Sequence, residues 1–208
     1  SGSSLTTWLV RDHPTAATPE ADALSRCRER LRQASREGAF LVLLTTPVRY
    51  RAVESALKSQ YHVNPVHLEK TLIEEMRRAA AAAKVDWSVV LRTDAAGSMA
   101  PDWPQLLTLV KRAVPAVVTA VVAAGKEATV LATYPGLLAR YGQMELLEQL
   151  RDRTGRALAD GHLQGLWVLI AANEQSSLPQ IDSVPLPVIG SSQWLRLPST
   201  FAEETIAV

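Results

Sequence analysis

A chain of 208 residues with 47% hydrophobic and 21% charged side chains has the composition of a globular domain, and its length excludes disorder as the default. Twenty-two Lys plus Arg against 21 Asp plus Glu leave a net charge of +1, which excludes a global field for nucleic acid or anionic lipid; the apolar stretches are broken by Lys, Gly, Thr or Pro before the roughly 20 residues of a membrane span. The single cysteine, Cys27, excludes an intrachain disulfide and a multi-cysteine zinc site and suits a reducing, cytoplasmic setting.

Ser1 to Ser4 has the look of a cloning remnant, which leaves residues 5–208 as a single α/β domain. Leu5 to Val10 reads as a short edge strand. A helix is expected from Glu20 to Glu37, with Thr18 and Pro19 as cap and first position. Leu24, Cys27, Leu31 and Ala34 share its inner face, and Gly38 is its stop. Phe40 to Thr45 is a continuous apolar run framed by Gly38 and Pro47, as a strand buried on both faces should be. Helices are expected from Arg49 to Gln60 and from Pro65 to Lys84, the second capped by Asn64 with Leu68, Leu72, Ile73 and Met76 inward.

Trp87 to Thr93 reads as the next buried strand. Asp102 to Ala124 follows as a helix that Pro115 should divide or kink, and Gly125 closes it. Ala128 to Thr133 is a strand, and Gly136 to Arg153 a helix with Leu137, Leu138, Tyr141, Met144, Leu147 and Leu150 inward. Leu166 to Ala171 is a further strand. The proline-rich tail, 177–208, holds Pro179, Pro185, Pro187 and Pro198 around Leu186 to Ile189, which suits an edge strand. No internal repeat or long linker is evident. Strands separated by helices predict a mainly parallel sheet of about five strands with helices on both faces, a three-layer sandwich.

Ligands in such sheets sit beyond the carboxyl ends of the strands. After Leu44, the segment Thr45 to Arg51 has neither the glycines nor the Lys-Ser/Thr of a phosphate loop, although Arg49 or Arg51 has the chemistry to meet a phosphate. After the third apolar strand, Tyr134 stands where a nucleotide hydrolase places an acid for magnesium. Ala172, Asn173, Glu174 and Gln175 form a polar tip in which Asn173 either orients a water or simply forms a turn. Asp94-Ala95-Ala96-Gly97-Ser98 resembles the metal-binding loop of von Willebrand type A domains, with Ala96 replacing one hydroxyl ligand; the alternative is a local cap by Asp94. Asp94, Ser98, Asn173 and Glu174, with Thr133, are thus the candidates for a metal or nucleotide site.

Catalytic patterns are absent. There is no Gly-x-Ser-x-Gly elbow, His62 and His67 are five apart instead of four, and Cys27 falls on an apolar helix face. Arg26, Arg28, Arg30, Arg32 and Arg36 could follow a phosphate backbone, yet Glu20, Asp22, Glu29 and Glu37 dilute them; nucleic-acid contact is an alternative, with a solvated face the simpler account. Trp87 and Trp167 read as core. Trp8, Trp103 and Trp194 lie at segment edges, where an indole anchors a partner.

Asp86 to Leu91 running into Asp94-Ala95-Ala96, Pro135 to Gly142, Leu166 to Ile170, Pro185 to Ile189 and Gln193-Trp194 together resemble the C-terminal region of the PglW serine/threonine kinases of phage growth limitation and BREX phage-defence systems. The resemblance covers roughly residues 20–200 and rests on hydrophobic motifs. It implies the tail domain of a larger intracellular bacterial defence protein, with the kinase outside this chain, and a sheet similar to a P-loop ATPase core without its Walker A loop. The expectation is a non-catalytic interaction domain with no cofactor and no metal. Its partners would be other components of the assembly or the parent chain, and Arg28, Arg32 and the three edge tryptophans its candidate contacts.

Overall fold

The computed structural model describes residues 16–155 and 161–203. Thr18 accepts a hydrogen bond from the Ala21 amide and Pro19 occupies the first turn, so helix α1 (Pro19–Glu37) starts where its backbone donors are satisfied. It ends at Gly38, whose φ of 65° carries its amide back to the Ala34 carbonyl. A side chain there would collide with the Gln164 carbonyl, so both the turn and the close approach require glycine.

Strand β1 (Phe40–Thr45) is buried at every residue. A 3-10 turn (Pro47–Arg49) leads into α2 (Tyr50–Gln60), and β2 (Val63–His67) precedes α3 (Leu68–Ala82). Then come α4 (Trp87–Ala96), α5 (Trp103–Ala124), β3 (Thr129–Thr133), α6 (Gly136–Arg140), α7 (Glu145–Asp152) and β4 (Leu166–Ala171). The last part holds a small hairpin of β5 (Gln180–Ile181) and β6 (Val184–Pro185), followed by β7 (Trp194–Arg196).

The main sheet has five strands in the order β2-β3-β4-β1-β7, all parallel, with Val42 of β1 level with Val168 of β4 and Trp194 of β7. Pleating sends alternate side chains to opposite faces. Val42, Leu44, Val130, Val168 and Ile170 pack beneath α3, α5 and α7, whereas Leu41, Leu43, Leu131, Trp167 and Leu169 pack against α1 and α2. The expected parallel α/β sandwich, with helices covering both faces of the sheet, is therefore present.

Several elements differ from the sequence reading. Trp87 to Thr93 is helical: Asp86 caps the helix by accepting from the Ser88 amide at 2.8 Å, and its inward residues, Val90 and Thr93, are three apart. The apolar run imitated a buried strand, but Val89 and Leu91 are 38% and 54% exposed. Asn64 and Pro65 do not open a helix; they lie in β2, a sheet edge whose free side tolerates a residue without an N–H. The helix begins instead at His67, whose Nδ1 accepts from the Lys70 amide.

Pro115 does not divide α5, because it falls on the exposed side, where water can serve the carbonyl it leaves unbonded. Gly142, with φ of 65°, breaks the segment 136–153 into α6 and α7. Leu186 to Ile189 forms no strand; β7 supplies the edge instead, its Trp194 carbonyl held by Arg30 at 3.0 Å. The expected strand at Leu5 to Val10, with Trp8, lies outside the described residues.

By length and composition α5 is apolar enough to cross a membrane. Here Leu106, Leu109, Val110, Ala113, Val117 and Val121 commit one side of it to the core.

Candidate functional site

After β1 the chain turns to the α2 face of the sheet; after β3 it turns to the α6 face. The two departures leave a crevice above the end of β4, the kind of position where open parallel sheets hold ligands. Pro47, Val48, Tyr50 and Arg51 form one side and Tyr134, Pro135 and Gly136 another. Ile170 and Ala171 form the floor, and Ile181 and Asp182 of the hairpin close the outside. The volume is about 460 Å³.

Two tyrosines brace this rim. The buried Tyr50 hydroxyl donates to the Leu169 carbonyl at 2.7 Å and accepts the Tyr134 amide at 2.9 Å. Tyr134 has a φ of 52°, unusual for a residue with a side chain, and the Tyr50 bond helps to hold it there. Its ring stacks on His67 at 4.3 Å, and its hydroxyl donates to Glu54 at 3.0 Å. Burial pushes both phenols above their ordinary pKa, so both keep their protons at neutral pH; for Tyr134 the Glu54 hydrogen bond adds to the effect.

Asp94 is placed in the last turn of α4 instead of at a strand end. Its Oδ1 accepts from Arg140 Nε at 2.8 Å and from the Tyr141 hydroxyl at 2.7 Å, while its carbonyl takes Arg140 Nη2 at 2.7 Å. Arg140 also lies 5.5 Å from the centre of the Trp103 ring. Asp94 thus ties α4 to α6, and a metal would have to displace a guanidinium and a phenol to use it. Burial and the Asp94 hydrogen bond raise the Tyr141 pKa, and Asp94 holds Arg140 charged.

Ser98 lines a second cleft of about 470 Å³ with Glu69, Trp103 and Arg140, adjoining the crevice at Gly136 and Asp182. Thr133 is buried within β3, and Asn173 and Glu174 are exposed in a turn where the Asn173 carbonyl accepts the Ser176 amide. The structure therefore does not gather Asp94, Ser98, Thr133, Asn173 and Glu174 around one cavity. Among the described residues no three His, Cys, Asp or Glu side chains converge as metal ligands.

The other candidates are largely engaged within the fold. Trp103 is 9% exposed and packs near Tyr141, and Trp194 is half-buried against the core. Arg32 pairs with Glu29 at 2.9 Å, and Arg28 is half-buried beside Cys27. Arg30 Nη2 takes the carbonyls of Ser191, Ser192 and Trp194, pinning the tail to α1. Cys27 is buried, and burial raises its thiol to about 11, which removes the thiolate a nucleophile needs.

A surface absent from the sequence reading lies between α4 and α5. This groove of about 490 Å³ has Val85, Val89, Val90, Leu106 and Leu109 along it. The Thr93 and Thr108 hydroxyls are turned back onto the Val89 and Pro104 carbonyls, each at 3.0 Å. They offer the groove little beyond methyl groups. Asp102 stands at the start of α5 and Arg112 ten residues on, about 15 Å along the helix, and neither has an ion pair among the described residues. The sequence reading missed this surface because it placed 87–93 inside the sheet.

Comparison with protein-family models, with curated proteins and with solved structures returns no significant match to this chain. The fold and its openings thus define the class, a parallel α/β domain with a strand-end crevice and an apolar helical groove.

Proposed function

We propose that this chain is a non-catalytic interaction domain of a larger cytoplasmic phage-defence protein, and that its α4–α5 groove receives an amphipathic helix from another component of the assembly. The observation that carries the docking part is the groove itself: Val85 and Val89 are 40% and 38% exposed along an apolar trough that ends in charges of opposite sign, neither with an ion pair among the described residues. A helix with apolar residues at i, i+3/i+4 and i+7 fits such a trough. Asp102 favours the positive end of its dipole and a basic side chain, and Arg112 an acidic one, so the bound helix runs in the same direction as α5. The phage-defence context rests on the resemblance of Pro135 to Gly142, Leu166 to Ile170 and the accompanying motifs to the PglW C-terminal region.

The test is site-specific crosslinking in cells that express the full-length protein with its neighbouring defence components. A photoreactive residue at position 89 should capture a helical segment of one component, and the same residue at Glu148, on the exposed side of α7, should not. Arg112→Glu should reduce capture at least tenfold. Equal adducts at both positions, or capture indifferent to Arg112→Glu, would count against the reading.

A further inference from the structure

Independently of the docking groove, we propose that the strand-end crevice binds a small zwitterion with an apolar body, an amino acid or a dipeptide, whose carboxylate meets Arg51 and whose ammonium meets Asp182.

The volume of about 460 Å³ falls within the roughly 300–1,000 Å³ of small-molecule sites. Its chemistry is unlike that of a triphosphate cradle. Between Thr46 and Arg51 there is no glycine to bring backbone amides close, and Pro47, at the head of the turn, has no amide to offer. One guanidinium suits one carboxylate, which it can grip with two parallel hydrogen bonds.

Asp182 supplies the opposite charge from a different element. It sits at the tip of the β5–β6 hairpin, where φ values of 47° and 67° at Asp182 and Ser183 form the tight turn that holds it at the crevice. Arg51 and Asp182 are both exposed, and neither has an ion pair among the described residues; the Arg51 guanidinium lies beside the Tyr134 hydroxyl, which places its charge at the crevice wall. Between them the surface is apolar. Val48 is 96% exposed and Ile170 and Ile181 face the same space, while the Tyr50 and Tyr134 hydroxyls are already engaged with Leu169 and Glu54. A ligand would therefore meet ring carbon from the tyrosines, and its two charges would find partners in Arg51 and Asp182.

Isothermal titration with phenylalanine, leucine and leucyl-leucine tests this, with N-acetyl-leucine, leucinamide and Mg-ATP as controls. At least one zwitterion should bind at millimolar affinity or better, and both capped leucines at least tenfold more weakly. Free amino acid and dipeptide are told apart by which binds tighter. Arg51→Met and Asp182→Asn should each weaken binding at least tenfold without moving the unliganded Tm, since both side chains are exposed and Asn tolerates the positive φ. The proposal is overturned if no zwitterion binds, if N-acetyl-leucine binds as well as leucine, if neither substitution matters, or if Mg-ATP is preferred. Crosslinking at position 89 is unaffected by any of these outcomes, so the two readings fail separately.

Discussion

The tyrosine brace of the rim above the sheet and the groove between α4 and α5 both border open clefts, yet the brace and the groove treat their polar groups in opposite ways. At the rim, Tyr50, Tyr134 and Glu54 satisfy one another, as do Asp94, Arg140 and Tyr141 in the neighbouring link of α4 to α6, across as many as 84 residues of chain. In the groove the hydroxyls turn back into their own helices, and the end charges have no ion pair among the described residues. A polar group used for folding costs stability when it is removed; one held for a partner does not. Substitution therefore separates the two regions by experiment.

Tyr50→Phe should show the largest effect. It keeps the ring but strips the partner from a buried carbonyl and from the Tyr134 amide, so chemical denaturation should register a loss of about 2 kcal/mol. A loss below about 0.5 kcal/mol would mean that the rim is not braced as described.

Asp94→Ala should follow, at about 1–2 kcal/mol. The Arg140 pair is part-exposed, with side chains 43% and 36% accessible, and contributes little by itself; the stranded Tyr141 hydroxyl supplies most of the cost. If Asp94 were instead a metal ligand, the same substitution would leave the metal-free protein unharmed and abolish a magnesium-dependent rise in Tm.

Tyr141→Phe tests the same link through pH. At neutral pH it should cost about 1 kcal/mol, the value of one hydrogen bond. The folded phenol has its pKa raised by burial and by Asp94, above the value of about 10 for an unfolded tyrosine. The folded state therefore holds the proton more tightly, and that stabilisation is complete below pH 10 and lost as the pH rises through the folded value. Denaturation midpoints of the parent and the variant should converge above about pH 10. Parallel curves up to pH 11 would contradict the raised pKa.

How much of this was legible in the sequence depended on how local the signal was. Thr18-Pro19 and Gly38 bracket α1, and Phe40 to Thr45 and Leu166 to Ala171 are apolar runs too short for a typical helix, so these elements were readable in place. Strand β2 was not, because an edge needs no continuous apolar run and Asn64-Pro65 imitates a helix start. Helix α4 was not either, because Trp87 to Leu91 is as apolar as a buried strand, and its Asp86 cap was not recognised. Strand β7, at three residues, has too few positions to show a period. Arg51 and Tyr134 at the rim and Asp94 in α4 were visible as residues of interest. Their partners were not, since Tyr50 reaches Tyr134 across 84 positions and Arg140 reaches Asp94 across 46, and no local pattern encodes such distances. Asp182 and the groove were invisible for the same reason; each exists only once distant elements have packed.

The smallest effect on stability is expected in the groove. Arg112→Glu removes an exposed charge that has no ion pair among the described residues. The variant should lie within about 0.5 kcal/mol of the parent by denaturation, the range of surface changes away from structural features. A loss above about 1 kcal/mol would mean that the groove serves the fold, as the tyrosine brace does, and its difference from Tyr50 and Asp94 would disappear. Retained stability of Arg112→Glu together with lost crosslinking at position 89 would place the Arg112 side chain outside the fold's own requirements and within a partner's.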